Sequence, residues 1–484
     1  MVNTKEYFKL SVIYTLVAAV PNVIGLVVQP ILARMGATNV GYMGVTDIIV
    51  TLLFTFCIFS MESGISRFYY DVKGDKENFN KLVSSIFTGI LVRGAVILGV
   101  VLVFSPFIGR IFDQPALQHF EKYGVALVIS AFSRAIVTTA VSLFRNEKKI
   151  NSYIFVNISS GLFRAAFQVV GVLCFSLTFM GYVWGTAIGS TIISVCVIIY
   201  TYRRCGFHYD KKLNGELLRF GWPLLEYSLI GWGLASVDRW FLQKGDSVQL
   251  GIYQNAIYFA TGLQLIIQGL SSTTQPEIFK YMSEGIHKQQ EEIKKISNIF
   301  MIQSIVFIVG ATIPAIIFIT LFFHAEFLPS AAIISIIFVR YILRSQYQVF
   351  ALPIMYMKRT RIFSTVNLIA LIVSVALNWV LIPIMGYYGA IIAFIAANFT
   401  QVVIVYYYQQ KIVPIKWNMN KVMYFPLLIL LVSVFCEVAK SYLHLSMMAG
   451  AIIINVVTFA GISLLYKKEV REVLNKSLKF IKNV

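Results

Sequence analysis

The sequence predicts an all-α polytopic membrane protein with about 14 transmembrane helices. Of its 484 residues, 58% are hydrophobic and only 13% are charged, a composition too apolar for an average soluble globular protein. Apolar runs of about 20 residues, each long enough to cross the hydrocarbon core as a helix, recur along the whole chain. Lys and Arg are concentrated in every second connection between these runs, as they are in polytopic membrane proteins.

Fourteen apolar runs follow one another in the sequence. They lie at residues 9–33, 40–61, 82–105, 121–143, 153–176, 180–202, 220–243, 248–271, 297–322, 328–352, 361–383, 386–408, 421–442 and 445–466. The first run is longer than the hydrophobic region of a signal peptide, so we expect it to remain as the first span. An even number of spans places both termini on the same side of the membrane.

The basic residues indicate which side that is. Thirty of the 41 Lys and Arg residues lie at the N-terminus, in the even-to-odd connections and at the C-terminus, whereas five lie in the other connections. Because cytoplasmic loops carry the excess of Lys and Arg, both termini are predicted to be cytoplasmic. The net charge of +19 is therefore explained by topology, and we expect no nucleic-acid partner.

An internal repeat with a period near 210 residues divides most of the chain into two halves. The matched segments are Met180–Gly185 with Met385–Ala390, Lys148–Lys149 with Lys358–Arg359, Gly41 with Gly251, and Arg134 with Arg344. Each half holds six spans, so both enter the membrane from the same side. We expect two six-helix lobes related by a pseudo-twofold axis along the membrane normal, with two extra C-terminal helices.

The repeat sets the predicted domain boundaries. Residues 1–203 form an N-lobe with spans 1–6, and residues 204–219 form a cytoplasmic linker. Residues 220–410 form a C-lobe with spans 7–12, and residues 411–484 hold spans 13 and 14 and a basic cytoplasmic tail. Spans 13 and 14 lie outside the repeat, and the sequence does not disclose their role.

Six arginines lie inside the predicted spans, where charge is expensive. They are Arg93, Arg134, Arg164, Arg239, Arg340 and Arg344. If all six faced lipid, the total would be on the order of 15–20 kcal/mol, more than a marginally stable protein can absorb. Only three acids are central in the spans, namely Asp47, Glu226 and Asp238.

Two interpretations of these arginines remain open. In the first they pair with acids inside a dry core, although three acids cannot pair with six arginines one to one. In the second they line a polar cavity with surplus positive charge, to which Gln264 and Gln268 contribute from span 8. Such a cavity suits an anionic cargo, because Arg forms forked, charge-assisted hydrogen bonds to phosphate or carboxylate and stays protonated.

The sequence predicts no enzyme. The five histidines lie in loops or at span ends, the five cysteines show no metal-ligand spacing, and no nucleotide-binding loop is present. We therefore predict no catalytic residues and no metal site. A membrane polysaccharide polymerase or acyltransferase is the alternative from another class, but the longest predicted external connection, residues 106–120, is short for a polymerase.

The stretch from Leu217 to Leu263 carries the motifs of a known family. These motifs are Gly221 with Pro223, Trp232–Gly233, Asp238–Arg239, and Gly251 with Tyr253. In this order they resemble the seventh and eighth helices of Wzx-type lipid-linked oligosaccharide flippases. Gly64, Arg67 and Phe68 resemble the segment that follows the second helix of these proteins. Their superfamily also holds the multidrug and toxin extruders and the lipid II flippases.

The resemblance implies an alternating-access flippase of the bacterial cytoplasmic membrane. The substrate would be an anionic polyprenyl-diphosphate-linked oligosaccharide on its way to a surface polysaccharide. Its cationic cavity would draw mainly on Arg93, Arg134, Arg239 and Arg344. Besides this substrate and the lipid bilayer, the implied partners are other polysaccharide-assembly proteins.

Energy coupling in such a flippase needs a carboxylate whose occupancy changes with access to each side. The candidates are Asp47, Glu226 and Asp238, and the coupling ion would be H⁺ or Na⁺, with no other cofactor. For Asp238 a salt bridge that holds an arginine is an equally good interpretation. The functional alternative within the superfamily is a cation-coupled multidrug or metabolite antiporter, against which the excess of arginine over acid argues.

Overall fold

The computed structural model describes residues 4–72, 74–469 and 471, and all regular secondary structure in this part of the chain is helical. The chain forms two compact units, unit 1 at Met1–Gln254 and unit 2 at Asn255–Val484. In unit 1 the helices are α1 (Thr4–Leu32), α2 (Ala37–Ile58), α3 (Met61–Phe68), α4 (Lys76–Gly109), α5 (Pro115–Gln118), α6 (Gly124–Asn146), α7 (Ile150–Val170), α8 (Phe179–Cys205) and α9 (Lys211–Leu242).

The tenth helix, α10 (Ser247–Ser283), begins in unit 1 and continues into unit 2. The remaining helices of unit 2 are α11 (Gln290–Gly310), α12 (Thr312–Phe322), α13 (Leu328–Val339), α14 (Ile342–Tyr356), α15 (Arg361–Met385), α16 (Tyr387–Ile412), α17 (Phe425–Tyr442) and α18 (Met447–Leu465). Predicted spans 9 and 10 each correspond to two consecutive helices, α11 with α12 and α13 with α14, whereas predicted span 2 corresponds to α2 and is followed by the short helix α3.

The number of membrane-crossing stretches agrees with the prediction. In the described residues, twelve helical stretches are long and apolar enough to cross a membrane. α9 and α10, with 32 and 37 residues, coincide with predicted spans 7 and 8 and are less apolar because they carry acidic, basic and amide side chains. With these two included, the long helical stretches of the described chain number fourteen, and the predicted fold class is confirmed.

The interior of unit 1 is built around α6. This helix packs against α2, α3, α4, α7 and α8. Its apolar face joins a core in which Phe87, Ile136 and Leu143 are almost completely buried. Several polar side chains of α6, among them Ser133 and Thr139, are buried between these helices, whereas Arg134 is exposed.

Span 2 is interrupted where α2 gives way to α3. Phe59 and Ser60 both adopt left-handed backbone conformations, with φ of 50° and 57°, which non-glycine residues rarely do. The last carbonyl groups of α2 lack helical partners, and the Arg93 side chain donates to two of them, Cys57 O at 2.9 Å and Ile58 O at 3.5 Å. A membrane arginine thus satisfies the end of a broken helix.

The two halves of the repeat share a local turn. Lys148 follows α6 with φ of 59°, and Lys358 follows α14 with φ of 58°. At each site the next residue donates its backbone N–H to a carbonyl five residues earlier, Lys149 to Phe144 O at 2.9 Å and Arg359 to Ile354 O at 3.3 Å. This helix-terminating motif occurs in both units at the repeat positions found in the sequence.

Residues 204–219, predicted to be a linker, are mainly helical. α8 extends to Cys205 and α9 begins at Lys211, so only a short segment between them is irregular. That segment is fixed to α4, because His208 N donates to Ser84 Oγ at 2.8 Å and Asp210 N donates to Ser85 Oγ at 3.2 Å. The Asp210 carboxylate also caps α9 by accepting from two backbone N–H groups of its first turn.

Spans 13 and 14, represented by α17 and α18, are attached to α11–α14 by polar contacts as well as by apolar packing. Asn455 of α18 donates to Thr312 Oγ1 at 3.0 Å, and Gln346 of α14 donates to Val422 O at 2.9 Å. Lys440 of α17 forms an ion pair with Glu437 at 2.6 Å and donates to Ala332 O of α13. The basic tail predicted beyond these helices, residues 472–484, lies outside the described residues.

Candidate functional site

The family-like motifs of α9 and α10 meet one span of unit 1. The contacts run along span 2, and they are Gly221 with Phe59, Trp232 with Ile48, and Gly251 with Ala37. The Trp232 indole N–H donates to Ile48 O at 2.8 Å. A Cβ on Gly251 would lie 1.8 Å from Ala37 O, so only glycine permits this approach of α10 to α2. The motifs therefore specify how α9 and the start of α10 pack against span 2.

Asp47 lies in the middle of α2 and is the centre of a charged group that we call the Asp47 cluster. Its members are Asp47, Arg134 of α6, Arg164 of α7, Tyr182 of α8 and Arg239 of α9. Tyr182 OH donates to Asp47 Oδ1 at 2.9 Å. All three arginines interact electrostatically with the Asp47 carboxylate. Five helices of unit 1 thus contribute one polar side chain each.

Two arginines of the Asp47 cluster are held only loosely. In the part of the chain that the structure describes, neither Arg134 nor Arg164 forms a hydrogen bond, or an ion pair within 4 Å. The guanidinium carbon of Arg134 lies 4.5 Å from the centre of the Phe54 ring, and the side chain is exposed. Since α6 is surrounded by other helices of unit 1, this exposure indicates a solvent-accessible recess. The recess presents the Arg134 guanidinium to an anion, and the half-buried Arg164 lies close enough to interact with Arg134 electrostatically.

Asp238 and Arg239 are more tightly fixed. The buried Asp238 carboxylate accepts from Tyr253 OH at 2.6 Å and from the Arg239 backbone N–H at 2.8 Å. Arg239 Nε lies 3.6 Å from Asp238 Oδ1, and its Nη2 donates to Ala235 O at 2.5 Å. Arg239 Nη1 also approaches Gln254 Oε1 at 3.4 Å. This is the geometry expected for the salt-bridge interpretation of Asp238.

The other predicted site residues of unit 1 have different surroundings. Arg93 is half-buried against the carbonyl groups that end α2, with its guanidinium carbon 5.7 Å from the Phe59 ring centre. Glu226 is exposed on α9. Neither residue makes a hydrogen bond to a member of the Asp47 cluster in the described residues.

The predicted site residues of unit 2 divide into buried and accessible ones. Arg340 lies at the break between α13 and α14, only 1% exposed, with its guanidinium carbon 3.8 Å from the centre of the Phe394 ring. Arg344 is half-buried, and no described residue accepts a hydrogen bond from its Nε. Gln264 and Gln268 are exposed on α10. Unit 2 therefore presents amide groups and part of one arginine to solvent, while it buries another arginine.

Two tyrosines that donate hydrogen bonds to the acids were not predicted from the sequence. Tyr182 and Tyr253 each donate a hydrogen bond to an aspartate of unit 1. Both lie in motifs recognised for other reasons, Tyr182 in the repeated MGYVWG segment and Tyr253 in the Gly-x-Tyr pair. The feature of the sequence that could have identified these tyrosines is their position close to a glycine in each motif. Within the described residues, no group of His, Cys, Asp or Glu is arranged to hold a metal ion.

Solved structures of several membrane transporters are similar to this fold. The lipid II flippase MurJ in an inward closed conformation is 13% identical with a TM-score of 0.69, and the match covers 95% of this chain and 100% of that chain. The MATE multidrug transporter DinF-BH is 16% identical with a TM-score of 0.61, covering 87% and 97%. A MOP superfamily transporter from Pyrococcus furiosus is 14% identical with a TM-score of 0.52, covering 82% and 95%.

Sequence comparison identifies the family. No curated protein matches the chain. The family model described as polysaccharide biosynthesis protein matches residues 31–285, more than half of the chain. The matched region contains α2–α10 and the whole Asp47 cluster. This multi-pass membrane protein belongs to the polysaccharide biosynthesis protein family and has the fold of the MOP superfamily, as its sequence motifs predicted.

Proposed function

We propose that this member of the polysaccharide biosynthesis family is an alternating-access flippase. It moves an anionic polyprenyl-diphosphate-linked oligosaccharide from the cytoplasmic to the outer leaflet, where surface polysaccharide is assembled. The family match and the similarity to the fold of a lipid II flippase support this class of substrate. We infer that the protein acts as a transporter, without catalytic chemistry of its own.

One observation carries the proposal. The recess of unit 1 contains Arg134 and Arg164, two arginines without a hydrogen-bonded or ion-pair partner among the described residues. In a membrane-embedded unit an uncompensated guanidinium is strongly unfavourable unless it faces water or an anion. A diphosphate group supplies two phosphates, each able to accept forked hydrogen bonds from arginine. The arrangement is suited to a diphosphate headgroup and poorly suited to an organic cation.

Asp47 is the strongest candidate for coupling to an ion gradient, which we propose to be of H⁺ or Na⁺. It is only partly buried, and in the described part of the chain its carboxylate has one hydrogen-bond donor, Tyr182, besides its electrostatic contacts with the arginines. Asp238 is buried and its two oxygens are occupied by Tyr253 and Arg239. A carboxylate that must exchange an ion needs access, and Asp47 has it. Binding of an ion at Asp47 would also alter the charge that the substrate meets.

We propose that the protein resides in the bacterial cytoplasmic membrane with both termini in the cytoplasm. The thirty-to-five distribution of basic residues supports this orientation. A green fluorescent protein fused to the C-terminus should fluoresce, and an alkaline phosphatase fused there should be inactive. The reverse pair of results would invert the orientation.

Lipid analysis of a depleted host tests the function. Loss of the protein should cause a polyprenyl-linked oligosaccharide to accumulate in the cytoplasmic leaflet, and the mass of its glycan would identify the substrate. Re-expression of the wild-type protein should clear the accumulation. If no such lipid accumulates and the surface polysaccharide is unchanged, while expressing cells extrude cationic dyes, the protein is a drug or metabolite antiporter and the flippase proposal fails.

A further inference from the structure

A second polar cavity lies entirely within unit 2 and takes no part in the function proposed above. It encloses about 470 Å³, in the range of roughly 300–1,000 Å³ typical of small-molecule sites. Three segments line it, the beginning of α11, the connection between α16 and α17, and the residues just after α18. The topology predicted from the basic residues assigns all three segments to the cytoplasmic side. We call this cavity the lysine pocket.

The floor of the lysine pocket is a fixed polar network. Glu469 Oε1 accepts from Lys421 Nζ at 2.5 Å and from Asn298 Nδ2 at 3.0 Å. Tyr466 OH donates to Lys421 O and so fixes the same segment. Burial acts to raise the pKa of Glu469, but the hydrogen bonds from Lys421 and Asn298 hold it below its usual value. The floor is therefore ionised and ordered before any ligand arrives.

The lysine pocket has surplus positive charge on its walls. Its lining holds five lysines and three glutamates, namely Lys294, Lys295, Lys416, Lys421, Lys468, Glu291, Glu292 and Glu469. Lys421 is neutralised by Glu469 at 2.5 Å, and Lys294 by Glu291 at 2.7 Å. Lys416 and Lys468 are exposed and, among the described residues, form no hydrogen bond or ion pair. Among the described residues, two ammonium groups thus remain uncompensated at the cavity.

One wall of the pocket is aromatic and rigid. Trp417 is 8% exposed, and its indole N–H donates to Gln409 Oε1 at 2.8 Å. Its ring packs against Phe350 with 5.9 Å between the ring centres. Tryptophan is enriched at the level of the lipid headgroups because it is apolar with one polar end. Its place beside the two uncompensated lysines puts the pocket at headgroup depth.

We infer that the lysine pocket is a binding site for a phosphate-bearing anion, either the headgroup of an acidic phospholipid or a soluble phosphate ester. Basic pockets between transmembrane helices on the cytoplasmic side bind such headgroups. Lys416 and Lys468 contact the phosphate, and the Glu469 network keeps the three segments of the pocket in place. Since these segments belong to the ends of α11, α17 and α18, the bound anion stabilises the attachment of spans 13 and 14 to unit 2.

Native mass spectrometry of the full-length protein tests this inference. Wild-type protein should retain phosphatidylglycerol in preference to phosphatidylcholine when both are supplied in mixed micelles. The double variant Lys416→Gln/Lys468→Gln should bind phosphatidylglycerol about 30-fold more weakly, since each lysine near an anionic lipid contributes about 1 kcal/mol. Both lysines are exposed, so the variant should fold normally. The matched control is Lys211→Gln/Lys212→Gln, which removes the same charge from exposed positions of unit 1.

A third variant tests the sign of the interaction. Glu292 lines the pocket and, among the described residues, has no hydrogen-bond or ion-pair partner, so Glu292→Gln should strengthen phosphatidylglycerol binding several-fold. Displacement of the lipid by excess inorganic phosphate would identify a soluble phosphate ester as the natural ligand, and resistance to phosphate would identify the lipid. Unchanged lipid binding in the double variant, or an equal loss in the control, would overturn the site. None of these outcomes depends on substrate transport.

Discussion

Unit 1 and unit 2 each contain a central membrane arginine, and these two arginines have opposite surroundings. In unit 1, Arg134 is exposed in a recess and has no ion-pair partner within 4 Å among the described residues. In unit 2, Arg340 is 1% exposed and its guanidinium carbon lies 3.8 Å from the centre of the Phe394 ring. Both residues are central in their predicted spans.

The difference shows that a protein can stabilise an intramembrane arginine in more than one way. A charged group can face water in a cavity, where it is available to a ligand, or it can be stabilised by an aromatic face inside the protein. Arg93 is stabilised in a third way, because its guanidinium donates hydrogen bonds to the carbonyl groups at the end of a broken helix. Only an arginine that faces water in a cavity can offer its charge to a substrate. Variants at these positions and their neighbours test the contrast.

Removing Arg134 and Arg164 of unit 1 together should nearly abolish transport. The variant Arg134→Gln/Arg164→Gln is expected to reduce flipping by at least roughly 100-fold, since each hydrogen bond to a charged group contributes about 1.5–3 kcal/mol. The measurement is clearance of the accumulated lipid-linked oligosaccharide in a depleted host. Arg110→Gln, which removes an exposed arginine at the end of α4, is the control and should leave clearance unchanged. Normal clearance by the double variant would remove the Asp47 cluster from the substrate path.

Neutralising Asp47 should separate coupling from binding. Asp47→Asn is expected to eliminate the dependence of transport on the ion gradient, while exchange of substrate down its own gradient continues. Tyr182→Phe removes one hydrogen bond to Asp47, worth about 1 kcal/mol, and should change the apparent ion affinity by only about fivefold. Transport assays in proteoliposomes with and without an imposed H⁺ or Na⁺ gradient measure both. Gradient-dependent transport by Asp47→Asn would assign coupling to another carboxylate.

The close approach of α10 to α2 should be sensitive to a single methyl group. Gly251→Ala would place a Cβ 1.8 Å from Ala37 O and should destabilise the protein by about 3 kcal/mol, at the upper end of overpacking effects. Gly231→Ala on α9 is the matched control, because its Cβ would meet nothing within 4 Å and helix propensity favours alanine. Thermal unfolding in detergent compares the two. Equal melting temperatures would show that the Gly251 contact is not rigid.

The buried arginine of unit 2 should affect stability more than transport. Arg340→Met keeps most of the side-chain volume but removes the cation from the Phe394 ring, a desolvated interaction worth about 2 kcal/mol. We expect a lower melting temperature and near-normal clearance per folded molecule. A variant with wild-type stability and no clearance would instead place Arg340 in the substrate path and end the contrast between the units.

Much of the architecture could be predicted from the sequence because bilayer thickness and loop charge constrain it directly. Apolar length indicated the number of spans, and the repeat was visible in the pairs Lys148–Lys149 and Lys358–Arg359, where the structure has equivalent turns. The breaks within spans 9 and 10, and the short helix α3 after span 2, were not predicted. At Phe59 and Ser60 no glycine or proline marks the interruption, so the sequence carries no local signal for it.

The candidate site could be predicted only in part. Asp47, Arg134, Arg164 and Arg239 were recognised as unusual because charge in a membrane span is expensive, a property of single residues. Their proximity could not be recognised, because they come from four helices and helical periodicity does not specify which helices become neighbours. For the same reason the tyrosines that donate hydrogen bonds to the two acids, ordinary residues in any membrane span, were not identified.

Hydropathy, composition and short matched segments were sufficient to predict a helical membrane protein, its number of spans, the repetition of its halves and the residues that carry charge into the membrane. These properties act locally along the chain, so a reading of the sequence finds them. Which arginine is exposed, which is covered by an aromatic ring and which satisfies a helix end became known only from the folded chain. Those outcomes depend on the packing of helices that are distant in sequence, because packing determines how much water each guanidinium group retains.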